Sequence, residues 1–138
     1  MSKHKLLIVE DNPGDVDLVL DSLTAGAYDI TVLNDGHAAI RYLRREAEYA
    51  AVHTPDLILL DLNLPKLGGV DVLAAMALND DLRSIPTVVL TSSDAERDVA
   101  DSYRLGANCY VRKPGDLHSY QAAVQAIEEF WFSAVRLP

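Results

Sequence analysis

Short runs of apolar, β-rich residues alternate along the chain with longer stretches in which apolar positions recur every three or four residues. The runs lie at Leu6 to Val9, Ile30 to Leu33, Leu57 to Leu60, Thr87 to Leu90 and Cys109 to Val111, and each reads as a strand followed by a helix. In the first helix Val16, Val19, Leu20 and Leu23 share one face, and in the third Val70, Leu73, Ala74 and Ala77 do so, the spacing of helices packed on one side. Strands with almost no polar alternation are buried on both faces. For alternating βα units that means a parallel sheet between two helix layers. The pattern predicts an α/β fold of five βα units, a flavodoxin-like three-layer sandwich with strand order 2-1-3-4-5.

Turn residues fall where this fold needs them. Asn12-Pro13-Gly14 precedes the first helix, Asp35-Gly36 the second, and Pro65 with Gly68-Gly69 the third. From Glu46 to Pro55 the connection is longer than minimal and reads as an extended second helix followed by a surface loop. At 138 residues the chain fits one domain, residues 1–138, with an apolar tail over about 130–138. The last helix carries Tyr120, Val124, Ile127 and Trp131 on one stripe, which packs on the sheet. Phe130 and Phe132 lie off that stripe, so they either fold back or form an exposed patch; the patch reading predicts a homodimer.

Charge narrows the function. Twelve basic against twenty-one acidic residues give a net charge of -9, and no basic run tracks a phosphate backbone, so no nucleic-acid partner is expected. Apolar runs such as Leu6 to Val9 fall far short of the roughly 20 residues that cross a bilayer, so no membrane partner is expected. Cys109 is the only cysteine, which rules out an intrachain disulfide and suits a reducing cytoplasm. His4, His37, His53 and His118 have no ligand spacing, and with Cys109 they read as structural.

The strand ends carry the chemistry. In an open parallel sheet, ligands bind beyond the carboxyl ends of the strands where strand order reverses. Strand one ends in Glu10-Asp11, strand three in Asp61, strand four in Thr91-Ser92, and strand five runs into Lys113-Pro114. Crowded carboxylates repel one another unless a cation sits among them, and oxygen-only ligands favour Mg2+. Asp11 and Asp61 are the expected direct ligands, with Glu10 acting through water. Asp61 then serves as a carboxylate nucleophile toward phosphorus, while Lys113 and the Thr91 hydroxyl take phosphoryl oxygens. Each residue alone also has a plain reading: a helix cap for Glu10-Asp11, a turn residue for Asp61, a solvated lysine for Lys113, a packed strand residue for Thr91.

Ile8-Val9-Glu10-Asp11-Asn12, Leu59 to Pro65, Leu90-Thr91-Ser92 and Tyr110 to Pro114 together resemble the receiver domains of two-component response regulators, over almost the whole chain. The resemblance implies that Asp61 accepts a phosphoryl group from a histidine kinase, and that the backbone carbonyl of Asn63 completes the Mg2+ shell. It further implies that Thr91 and Tyr110 form a switch pair that remodels the face around the fourth helix and fifth strand, and that Asn63 and Ser93 tune the lifetime of the phosphorylated form. The tail, Glu128-Glu129-Phe130-Trp131 followed by Val135, Leu137 and Pro138, is similar to single-domain regulators that partner phytochrome-type light-sensing kinases. Gly68 stands where many receivers carry Asp, and Gly115 where an apolar residue is common.

Other functions fit less well. An aspartate-nucleophile phosphohydrolase of the haloacid-dehalogenase type needs a second Asp where this chain has Asn63. A flavin module needs a phosphate-cradling loop where this chain has Glu10-Asp11. A phosphorylation-independent adaptor has no use for Asp61, Thr91 and Lys113 together.

Overall fold

The computed structural model describes residues 3–138. Five strands, β1 (His4–Val9), β2 (Tyr28–Leu33), β3 (Leu57–Leu60), β4 (Thr87–Thr91) and β5 (Cys109–Arg112), form one parallel sheet in the order β2-β1-β3-β4-β5. The helices are α1 (Pro13–Ser22), α2 (Gly36–Leu43), α3 (Gly69–Ala77), a single turn α4 (Asp80–Arg83), α5 (Glu96–Arg104) and α6 (Leu117–Glu129). This is the expected flavodoxin-like fold. Among the described residues no helix is long and apolar enough to cross a membrane.

Pleating divides the strand side chains between two cores. Leu7, Val9, Ile58, Leu60 and Val89 face α2 and α3, where Ala39, Tyr42, Leu43, Val72, Leu73 and Met76 meet them. Leu6, Ile8, Leu57, Leu59, Val88 and Leu90 face α1 and α6, against Val19, Tyr120, Val124 and Ile127. β3 and β4 are buried at every position, which explains why their sequences show no polar alternation.

Two helix faces differ from the expected ones. On α1, Val19 and Ser22 are buried while Leu20 is exposed, and Leu18 packs on the core in its place. On α3 the buried stripe is Gly69, Val72, Leu73 and Met76, with Val70 only partly buried. Both helices hold more apolar residues than one face needs, so the phase is set by the loop that starts each helix. For α3 that loop is tight. A Cβ on Gly69 would lie 2.4 Å from the Asp61 carbonyl oxygen and 2.8 Å from Leu62 Cα, so only glycine lets the helix begin against the end of β3.

The second helix is not extended. It ends at Leu43, and Arg45 and Ala47 take positive φ, which breaks the helix before a short 3-10 turn at Ala47–Tyr49. At the other end of the chain α6 runs into a π-helical turn, Phe130–Ala134. That turn folds Phe132 back onto the sheet edge, 4.9 Å from the Tyr28 ring and 4.7 Å from His4, and leaves Phe130 exposed beside Trp131.

Candidate functional site

The switch point of the sheet lies between β1 and β3, and backbone bonds there fix the strand ends. Asp61 N donates to the Val9 carbonyl, Glu10 N to the Leu33 carbonyl, and Lys113 N to the Thr91 carbonyl at 2.7 Å. Each polar residue that terminates an apolar strand therefore emerges at the same edge. The cap of α1 is Asn12, whose side chain accepts from Asp15 N. Glu10 and Asp11 are thus not used as caps for that helix.

Glu10, Asp11 and Asp61 offer carboxylate oxygens that all lie within 4.8 Å of one another. Glu10 and Asp61 are buried and Asp11 is exposed, so the group opens to solvent on one side. Lys113 reaches it from the carboxyl end of β5, the outermost strand on that side of the sheet. Its ammonium donates to Glu10 Oε1 at 2.5 Å, Asp15 Oδ2 at 2.8 Å and Asp61 Oδ2 at 3.1 Å. The Thr91 hydroxyl donates to the other Asp61 oxygen, Oδ1, at 2.7 Å, and Asn63 N donates to that same oxygen at 3.2 Å. Both oxygens of Asp61 are therefore oriented before any ligand arrives.

These contacts separate the two buried carboxyls. Burial lifts Glu10 to about 7, Lys113 pulling it down and Asp61 pushing it further up. Burial would also lift Asp61, but hydrogen bonds from Thr91 and Glu10 and the charge of Lys113 more than offset it and hold Asp61 below the usual aspartate range. Burial works against the charge of Lys113, yet bonds to Asp15 and Glu10 and the field of Asp61 raise it above the usual lysine range. The nucleophile candidate is thus ionised and the lysine charged at neutral pH.

Tyr110 lies at the rim, half-buried against the α2–α3 core, with its hydroxyl donating to the Ser93 carbonyl at 2.7 Å. Ser93 in turn donates to Asp98 at the start of α5. Glu10, Asp11, Asp61, Thr91 and Lys113 all meet at this edge, Asn63 N reaches Asp61, and Tyr110 connects to the loop after β4. Asp15 is the residue that reading the sequence missed. Its only signal was its place in the first turn of α1, four residues after Asp11. Beside it, a cleft of about 400 Å³ is lined by Asp15, Ser92, Lys113, Pro114, Leu117 and Tyr120 among others.

The carboxylate trio, an all-oxygen donor set, suits a hard divalent cation. Known proteins resemble the chain over nearly its whole length. The response regulator Rcp1 of Synechocystis sp. is 46% identical over 135 residues, covering 96% of this chain and 92% of that protein. The crystal structure of the phosphorylated cyanobacterial phytochrome response regulator RcpA superposes with a TM-score of 0.96 at 42% identity, over 99% of both chains. The Mn2+-bound form of Rcp1 superposes with a TM-score of 0.93 at 44% identity, over 98% of this chain and 99% of that one. The response regulator receiver domain family matches residues 6–125, a span that runs from β1 through most of α6 and includes every residue of the site, and the chain therefore belongs to that family.

Proposed function

We propose that the chain is a phosphorylation-driven signalling switch in which Asp61 accepts a phosphoryl group from a histidine kinase with the help of Mg2+. The observation that carries this reading is the meeting of Lys113 and Thr91 on the two oxygens of Asp61 beside the carboxylates of Glu10 and Asp11. Asp11 and Asp61 would hold Mg2+ directly, Glu10 through water, and the Asn63 carbonyl as the family resemblance implies. When bound, the cation neutralises carboxylate and phosphoryl charge.

An Asp61 oxygen attacks phosphorus; the new P–O bond forms as the P–N bond to the kinase histidine breaks, and its electron pair stays on the imidazole. The Lys113 ammonium stabilises charge on one peripheral phosphoryl oxygen, and the Thr91 hydroxyl turns from Asp61 to another. That turn draws the loop after β4 inward. Tyr110 then leaves its Ser93 bond and swings in, changing the α5–β5 face that a listener reads.

The product persists because Asn63 stands where a hydrolase would have a general acid, so the protein acts as a phosphoacceptor and not as a turnover enzyme. Residues 1–138 form one receiver domain whose tail, about 130–138, makes a homodimer contact through exposed Phe130. The similarity to Rcp1 and RcpA supports a phytochrome-type kinase as partner, and a cytoplasmic setting suits the lone Cys109. Phosphotransfer from a panel of labelled histidine kinases tests the partner. We expect the phytochrome-linked kinases to transfer fastest; equal transfer from unrelated kinases would remove the light-sensing assignment.

A further inference from the structure

We propose that Asp15 is a positioning residue that aims the Lys113 ammonium at the phosphoryl group on Asp61, an inference that rests on the phosphoacceptor reading above. The local sequence fixes Asp15. Pro13 starts α1, and the Asn12 side chain accepts from Asp15 N at 3.1 Å, which pins Asp15 in the first turn. From there its carboxylate accepts from Lys113 Nζ at 2.8 Å, joining α1 to the end of β5 across 98 residues.

An ammonium has three N–H bonds, and Lys113 directs them at Glu10, Asp15 and Asp61. Glu10 and Asp61 belong to the trio of converging carboxylates, while Asp15 does not. Glu10 and Asp61 are the groups that would serve the cation and phosphorus, which leaves Asp15 as the partner whose only role is toward the lysine. A lysine on a flexible four-carbon stem has no preferred direction of its own. Asp15 supplies one, as a third group orients the base beside a nucleophile. Asp15 is also less buried than Glu10 or Asp61, its side chain 24% exposed against their 6% and 5%, so its carboxylate keeps contact with water while it holds the lysine and little desolvation opposes the pair.

The test uses the full chain with Mg2+ and acetyl phosphate, followed by intact-mass measurement over time. Asp15→Ala should lower the labelling rate at saturating donor by roughly tenfold while leaving the Mg2+ half-saturation within about twofold, since Asp15 is outside the metal group. Asp15→Glu should recover most of the rate. In a Lys113→Ala background Asp15→Ala should have no further effect, because the two act as one unit. A second readout needs neither metal nor donor: the Lys113 ammonium signal in 15N NMR should be protected from exchange in the wild type and lost in Asp15→Ala.

Wild-type rates in Asp15→Ala, an additive effect in the Lys113→Ala background, or an unchanged ammonium signal would each overturn the inference. If Asp15→Ala does not fold, Asp15→Asn and Asp15→Glu decide by the same comparison. A wild type that takes no phosphoryl group would sink the phosphoacceptor reading and this inference with it. Normal wild-type labelling matched by Asp15→Ala would sink the inference alone.

Discussion

Lys113→Met keeps the length and apolar stem of the side chain and removes its charge, so it isolates what the ammonium does for the folded protein. That ammonium lies 2.5 Å from Glu10, 2.8 Å from Asp15 and 3.1 Å from Asp61, and its side chain is only 8% exposed. Removing one partner of a buried ion pair costs about 3–5 kcal/mol. Glu10 can take up a proton and Asp15 is partly screened by water, so the lower end applies: about 3 kcal/mol at pH 8 without metal, or on the order of 10 °C in Tm. The pH dependence has a definite sign. Burial lifts Glu10 from its ordinary value of 4.5 to about 7 in the folded state, so the native protein binds more protons than the unfolded chain, and stability falls as pH rises through that window. Without Lys113 the fall is steeper, because the attraction that offsets it is gone. The deficit of Lys113→Met should therefore shrink toward pH 5 and be largest above pH 7. Urea unfolding followed by circular dichroism in EDTA at several pH values measures it, and added Mg2+ should narrow the gap by supplying the missing positive charge. A variant as stable as the wild type at pH 8, or one whose deficit grows on acidification, would refute the electrostatic reasoning.

Other perturbations separate the remaining contributions. Thr91→Ala removes the hydroxyl that donates to Asp61 and should cost about 1.5–3 kcal/mol in urea unfolding; it should still accept a phosphoryl group but lose the change at Tyr110, read by NMR of the tyrosine ring. Gly69→Ala places a methyl group against the Asp61 carbonyl. It should destabilise by about 2 kcal/mol and weaken Mg2+ binding in calorimetry, since the end of β3 must shift; unchanged affinity would mean the loop yields elsewhere. Phe132→Ala should cost about 1–2 kcal/mol through loss of the Tyr28 and His4 contacts. Phe130→Ala should leave stability unchanged and lower self-association in sedimentation, and equal sedimentation of the two proteins would remove the dimer contact from the tail.

The site was more legible in the sequence than the helix faces were. Apolar strands that stop abruptly at Glu10, Asp61 and Thr91 announce where the sheet ends, and a parallel sheet with order 2-1-3-4-5 forces those ends together whatever the details of packing. Helix phase has no such constraint. Leu18 and Leu20 are equally apolar, and only the start of α1 at Pro13, capped by Asn12, decides that Leu18 packs inward. The same holds for Val70 against Val72, where the close approach of Gly69 to Asp61 sets the register of α3. The end of α2 at Leu43 was hidden because the positive φ values fall on Arg45 and Ala47, residues that carry no turn signal. Asp15 was hidden for a different reason: its partner is 98 positions away, and an acidic residue in a first helical turn ordinarily signals only a favourable helix dipole. The π-helical turn that returns Phe132 to the sheet edge has no counterpart in the periodicity of α6.

Every role proposed for Lys113, Thr91 and the acidic group requires Asp61 to be the residue that accepts phosphorus. The most direct measurement is the intact mass of the wild type and of Asp61→Asn after incubation with acetyl phosphate and Mg2+. We expect one added phosphoryl group on the wild type, none on Asp61→Asn, and none on either when EDTA replaces the metal. Equal labelling of the two proteins would place the acceptor elsewhere and would leave the convergence of Lys113, Thr91 and the acidic group without the role assigned to it.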